Sequence, residues 1–431
     1  MISKSIAVNN DGHLTIGGAD CVDLAERYGT PLYVFDENLI RSTIAEFRES
    51  IKKHYGGNGR VLYASKAFSC KEMYRICRSE GIGADVVSAG EIYTAVSAGF
   101  DPSLLVFHGN NKAYDELLYA VKVGVGRIVV DNFSELKNLE SIAESLGKEV
   151  NIILRIKPGI DVHTHDYIKT GQIDCKFGFA LENGEAMNAA LECLEHKGVN
   201  LKGFHCHIGS QIFTTEPFCD AAKIMIQFAA DFRDKSGVTV TEIDLGGGFG
   251  VKYVESDDQQ PFDSFMATAA DALKAECDRL HFPISFVYIE PGRSIVGPAG
   301  ITLYKVGAIK HIENVRTFVS VDGGMSDNPR YALYNAEYTI EIANKATEPK
   351  SFVATVAGKC CESGDLLQEH VKIQQPDVGD TLAVLTTGAY CYSMASNYNR
   401  IPRAAVVFVK DKESRVVINR ETYEDIIKND V

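Results

Sequence analysis

Between residues 60 and 290 the chain alternates two hydrophobic rhythms. Short, mainly apolar β-type runs stand at 61–64, 84–87, 104–107, 127–130, 151–156, 203–206, 242–245 and 286–289. A strand buried on both faces needs such a run, because its side chains alternate between the two sides. Longer segments separate them, at 71–80, 91–98, 115–123, 134–146, 185–196, 217–234 and 262–279. In these, apolar residues return every three or four positions, the spacing of one helix face. Strands alternating with helices predict a parallel sheet. Eight such units predict closure into a TIM-like (β/α)8 barrel. An open doubly wound sheet has one cue, Gly246-Gly-Gly-Phe-Gly250, but no GxGxxG with a later acidic partner accompanies it.

Beyond Arg293 the rhythm changes. Short β-type runs at 301–305, 317–321, 338–342, 352–356, 381–385, 404–409 and 415–418 are punctuated by Gly, Pro and Asn, with no long helical pattern among them. They predict an all-β domain, a sandwich or barrel. Pro31-Leu-Tyr-Val-Phe35 is strand-like too, and a helical pattern starts near Glu37. Pairing of that early strand with the C-terminal ones makes the β domain discontinuous: residues 1–35 plus 299–431, against 36–298 for the barrel.

The 431 residues suffice for two sizeable cores. With 44 basic against 58 acidic residues the net charge is −14, which argues against a bulk nucleic-acid or anionic-membrane surface. A local cationic pocket remains compatible with it. No run is long and apolar enough to span a bilayer, and the N-terminus has no apolar core of signal-peptide length. The eleven cysteines are scattered, without a CxxC pair or zinc-type spacing, and read as free thiols in a reducing cytoplasm.

Chemistry in such a barrel sits where the strands end. Those ends supply Lys66, Asp85 with Ser88, His108 with Asn110, Asp131, Arg155, His207 with Ser210, Gly246 to Gly248, and Glu290 with Arg293. Most lysines at strand ends are solvated surface groups. A desolvated one, however, has its pKa lowered toward the nucleophilic range. Gly246, Gly247 and Gly248 let backbone N–H groups approach an anion, and without the Gly-Lys-Ser/Thr of a P-loop they favour a phosphate smaller than a nucleotide's. In His205-Cys-His207 one imidazole is suited to cover an aromatic ring, with Ser210 on a phosphate. The two histidines are read as facing opposite sides, and no metal site is expected. Together these are the parts of a pyridoxal 5'-phosphate (PLP) site. Glu290 then decides the chemistry: a carboxylate against the pyridine nitrogen keeps it protonated and makes the ring a strong electron sink, suited to decarboxylation rather than racemisation.

The chain resembles the diaminopimelate decarboxylases, PLP enzymes of the fold that includes alanine racemase and ornithine decarboxylase. The resemblance covers essentially the whole chain. It rests on Tyr63-Ala-Ser-Lys66-Ala, Gly83-Ala-Asp-Val-Val-Ser-Ala-Gly-Glu91, Lys176-Phe-Gly178, the stretch 205–211, Gly246-Gly-Gly-Phe-Gly250, Glu290-Pro-Gly-Arg293, Asp322-Gly-Gly-Met325, Arg330 with Ala332-Leu-Tyr334, Cys361-Glu-Ser-Gly-Asp365 and Gly388-Ala-Tyr390. It implies that Lys66 captures the cofactor aldehyde and His207 covers the ring. Asp85, Ser210, Gly246, Gly247, Gly248, Glu290, Gly292, Arg293 and Tyr390 complete the cofactor set. Arg293, Arg330, Tyr334 and Tyr390 are implied to bind substrate. Glu362 is implied to take the distal ammonium and Cys361 to stand beside the reacting carbon, both reaching a neighbouring subunit's site in a homodimer. Tyr331 stands where a proline often follows the arginine, and Cys360 doubles the usual single cysteine.

By the same resemblance the reaction is decarboxylation of meso-2,6-diaminopimelate to L-lysine and CO2, the last step of lysine biosynthesis. Two arginines in the distal set favour a substrate carrying a second carboxylate, since a substrate without one leaves guanidinium groups unpaired. The alternatives are decarboxylation of ornithine, arginine or carboxynorspermidine on the same scaffold, or a non-catalytic PLP-binding relative. Joint retention of Lys66, Glu290, Cys361 and Glu362 weighs against the last.

Overall fold

A computed structural model describes residues 2–160, 175–283 and 286–431. They form two compact units, one of Ile44–Gly250 and Gln259–Gly292, the other of Met1–Thr43, Val251–Asp258 and Arg293–Val431.

The first unit is a closed parallel barrel. Its strands are β1 (Gly59–Ala64), β2 (Gly83–Val86), β3 (Leu105–Phe107), β4 (Arg127–Val130), β5 (Val150–Lys157), β6 (Val199–His205), β7 (Glu242–Asp244) and β8 (Phe286–Ile289). Each pairs in parallel with the next, and β8 returns to β1. All eight expected runs are therefore strands, buried nearly throughout as a sheet between inner side chains and outer helices must be. Leu62, Val106, Val129, Ile153 and Tyr288 pack together as one buried cluster. Polar strand-end residues also start helices. Ser88 accepts the Glu91 N–H and opens Ala89–Ser97, and Asn132 accepts the Glu135 N–H and opens Phe133–Leu146. One short strand was not anticipated: Phe179–Ala180 pairs with the end of β5.

The second unit is built on a nine-stranded sheet. Its main order is Leu366–Ile373, Phe352–Ala357, Arg316–Val321, Gly300–Ile312, Leu32–Asp36, Ala405–Lys410, Glu413–Ile418. Gly300–Ile312 also pairs with Thr381–Val384, which pairs with Ile340–Ile342. Leu32–Asp36 sits between Gly300–Ile312 and Ala405–Lys410, so an early strand does complete the late sheet. Leu24, Leu32, Val34, Ile301, Leu303 and Val407 belong to its core. The segment Val251–Asp258, within the 36–298 span expected for the barrel, joins this unit. Thr339 Oγ1 donates to Tyr253 O at 2.8 Å and Thr386 Oγ1 to Lys252 O at 3.2 Å.

Candidate active site

β1 ends at Ala64, and a single 3-10 turn, Ser65–Ala67, follows at once. The turn is pinned through Ser65, whose Oγ lies within 2.8 Å of both Asp85 O and Glu91 Oε2. Glu91 in turn accepts the Val87 N–H at 2.7 Å. The geometry delivers Lys66 to the end of β2, where its Nζ forms an ion pair with Asp85 Oδ2.

Behind that pair, four buried groups converge: His108, His205, Asp244 and Glu290 place nitrogen and oxygen atoms within 4.8 Å of one another. Each stands at, or one residue beyond, the C-terminal end of β3, β6, β7 or β8. His205 Nε2 lies 3.4 Å from Glu290 Oε2, a hydrogen bond. His108 Nε2 lies 2.7 Å from Glu290 Oε1 and 3.8 Å from Asp85 Oδ1. The two imidazoles meet edge to face at 4.9 Å. Burial lowers the pKa of His205 to about 3, so it faces Glu290 as a neutral donor. Burial alone raises the pKa of Glu290, but His108 and His205 outweigh it and hold the carboxyl well below its ordinary range. The two imidazoles thus favour the ionised form of Glu290 in a buried place.

The glycine turn fits between the ends of β6 and β8. Gly246 has φ 68° and Gly248 φ 117°, both in the region that side chains resist. A Cβ on Gly246 would lie 2.5 Å from Cys206 O, and one on Gly247 2.2 Å from Glu290 O. Only glycine leaves the backbone room there. Gly247 N–H donates to His207 Nδ1 at 3.2 Å, which leaves the ring proton on Nε2. Burial, then the charge of Lys66, pushes the pKa of His207 well below its ordinary value. Residues i and i+2 of a continuing strand share a face. The expected divergence of His205 and His207 thus had the wrong reason, since β6 stops at His205 and only then does the chain turn. Ser210 is half-buried in the loop that follows. Gly292 packs on the end of β1, where a Cβ would lie 2.8 Å from Ala64 Cβ. Asp131 and Arg155 take part in a separate contact. Asp131 Oδ1 accepts the Gly178 N–H at 2.9 Å, and the Arg155 guanidinium stands 4.2 Å over the Phe177 ring.

In the sheet unit a second set gathers around Tyr253. Arg293 donates to its hydroxyl at 2.7 Å and lies 4.7 Å over the Tyr390 ring. Arg330 opens the short helix Arg330–Tyr334, and its guanidinium stacks 3.7 Å over the Tyr253 ring. Its Nε is buried without a hydrogen-bond partner. Tyr334 closes that helix, half-buried. Cys361 and Glu362 are exposed at the tip of a loop whose root is the buried Asp365. Asp365 accepts the Met325 N–H at 2.6 Å and the Cys360 N–H at 2.7 Å.

Three members of these sets had no role in the sequence reading. His108 stood among the strand-end polar residues without one. Asp244 has no role in the sequence beyond leading into the glycines, although the last residue of a barrel strand is itself a signal. Tyr253 lies in a loop with no local pattern to mark it.

Residues 40–297 match the family described as "Pyridoxal-dependent decarboxylase, pyridoxal binding domain". The chain is 48% identical to the diaminopimelate decarboxylase of Bacillus subtilis, over 98% of this chain and 96% of that one. To the diaminopimelate decarboxylase of Synechocystis sp. it is 42% identical, over 100% and 92%. A crystal structure of the M. jannaschii diaminopimelate decarboxylase in co-complex with L-lysine superposes with TM-score 0.92 at 34% identity, over 100% of this chain and 98% of that one.

Proposed function

The chain belongs to the pyridoxal-dependent decarboxylases, in their diaminopimelate decarboxylase group, and from that premise we propose that it converts meso-2,6-diaminopimelate to L-lysine and CO2. The observation that carries the reading is Glu290. A carboxyl group, 4% exposed and braced by two imidazoles that favour its ionised form, is what a protonated pyridine nitrogen requires.

The residues present fit the cofactor. Asp85 Oδ1 is buried without a hydrogen-bond partner beside Lys66, and the glycine turn packs on neighbouring backbone so closely that no Cβ has room. Bound there, PLP supplies a sink for the electron pair left when CO2 departs. Lys66 is the amine for its aldehyde, and Asp85 orients that amine. His207 is the ring cover. Ser210, the 246–248 backbone, Gly292 and Tyr390 are the phosphate donors. Arg293, Arg330 and Tyr334 read the distal carboxylate, for which the unpartnered Arg330 Nε is a ready donor. Glu362 takes the distal ammonium and Cys361 stands at the reacting carbon, both from the other copy in a homodimer. Support for the shared site is that the 361–362 tip is exposed while its root is fixed.

No helix among the described residues is long and apolar enough to cross a membrane. All eleven cysteines are free thiols, which supports a cytoplasmic location. The test is CO2 release by the purified protein with PLP. Diaminopimelate is expected to yield lysine mole for mole, with ornithine, arginine and carboxynorspermidine turned over far more slowly. Preference for any of those three overturns the assignment.

A further inference from the structure

Two carboxyl groups, Asp244 and Glu290, come together inside the barrel, and one oxygen of Asp244 has no donor. Asp244 Oδ2 is buried without a hydrogen-bond partner, and Asp244 and Glu290 both belong to the set gathered within 4.8 Å. Asp244 is wholly buried and Glu290 4% exposed. Two ionised carboxylates in such a place repel each other, whereas a single proton turns the contact into a short O–H···O⁻ bond.

The surroundings decide which oxygen keeps that proton. Glu290 has His108 and His205 against it. Asp244 Oδ1 accepts one neutral donor, the Gly246 N–H at 2.9 Å. Among the described residues, the charged and titratable groups around Asp244 are Glu290, Asp85, His108, His205, Cys206 and Tyr288. Burial first, and the Glu290 charge second, raise the pKa of the Asp244 carboxyl well above its ordinary value.

We propose that Asp244 is a positioning residue for the reaction: a neutral carboxylic acid whose Oδ2–H donates to the Glu290 carboxylate and fixes where it stands. The proposal rests on the reading in which Glu290 serves the cofactor's ring nitrogen. It completes a small closed circuit. Gly246 donates to Asp244, Glu290 N–H donates to Gly246 O at 2.8 Å, and Asp244 donates to Glu290. The glycine turn and Glu290 are thereby held as one piece.

Two variants of nearly the same shape separate a donor role from mere filling. Asp244→Leu removes the donor, and Asp244→Asn keeps one that cannot ionise. In the holoenzyme Asp244→Leu is expected to lower kcat about a hundredfold, the typical loss of one preorganised donor, while Asp244→Asn restores it to within about tenfold of wild type. Infrared spectroscopy supplies a readout independent of turnover. The carbonyl stretch of a buried protonated carboxyl is expected in wild type and lost in Asp244→Asn. That band unchanged in Asp244→Asn, or Asp244→Asn as impaired as Asp244→Leu, overturns the proposal. If diaminopimelate is not a substrate, the functional reading falls while the infrared band still decides the protonation of Asp244.

Discussion

Lys66 and Asp85 form an ion pair across two neighbouring barrel strands, the lysine side chain 34% exposed and the aspartate wholly buried. A carboxylate taken out of water needs a cation or several donors to hold it there. Asp85 therefore keeps the ammonium at the strand ends, at the edge of the Glu290 cluster, instead of letting it swing into solvent.

The amine that holds the cofactor is expected to be Lys66. Borohydride reduction of the holoenzyme followed by peptide mass spectrometry should find the pyridoxyl group on this residue. Lys66→Ala should lower turnover on the order of a thousandfold or more with the circular dichroism unchanged. A label on another lysine refutes the assignment.

Glu290→Gln keeps the size of the side chain and removes its charge. The expected fall in kcat is about 10²–10³-fold, or roughly 3–4 kcal/mol, with the cofactor still bound. Wild-type turnover in a PLP-saturated variant would mean that Glu290 does not serve the ring.

If the 361–362 loop completes a partner's site, Lys66→Ala and Glu362→Ala damage different halves of it. Mixed under subunit exchange, half of the dimers are hybrids, and each hybrid holds one intact site. Activity should recover to about a quarter of wild type. Were both residues to serve the same chain's site, every site in the hybrid would carry one defect and mixing would restore nothing.

Asp327 gives the sheet unit a pH response. Its Oδ2 accepts the Gly324 N–H at 3.1 Å, and burial pushes its carboxyl up to about 7, against about 3.9 when unfolded. The folded state thus retains a proton that the unfolded chain releases. This contribution is complete below about pH 4 and lost as the pH rises through 7. Asp327→Asn should therefore gain on wild type by roughly 1–3 kcal/mol between about pH 5 and about pH 8, measured by urea unfolding. An equal pH response in both proteins contradicts this.

The barrel was legible because most of its parallel strands are buried on both faces and are mainly apolar in sequence. The strand Leu366–Ile373 was not, since Leu-Leu-Gln-Glu-His-Val-Lys-Ile mixes polar residues into a half-exposed edge. Lys66, Asp85 and Glu290 were found from their position at strand ends, which topology alone brings together. Tyr253 was missed because its value lies in two arginines arriving from residues 293 and 330, a juxtaposition that no local spacing encodes. Asp244 was missed for another reason. Its interest lies in a missing hydrogen-bond donor, which exists only once the side chains are placed.

The barrel closes on itself, whereas the main path of the nine-stranded sheet has two ends, each liable to pair with another chain. At one end His370 breaks the ladder with φ 51°, and Tyr331 of the overlying helix bonds Glu369 at 3.2 Å. At the other, Glu413–Ile418 carries Glu413 and Arg415 as charged guards, but it also covers Ala405–Lys410, the run Ala-Val-Val-Phe-Val-Lys, buried in its first five residues. Nicking or truncating the chain before Glu413 would uncover that run as a long, flat, apolar edge. Such a shortened protein should scatter light and precipitate, however sound its barrel, so the last nineteen residues serve as a solubility cover.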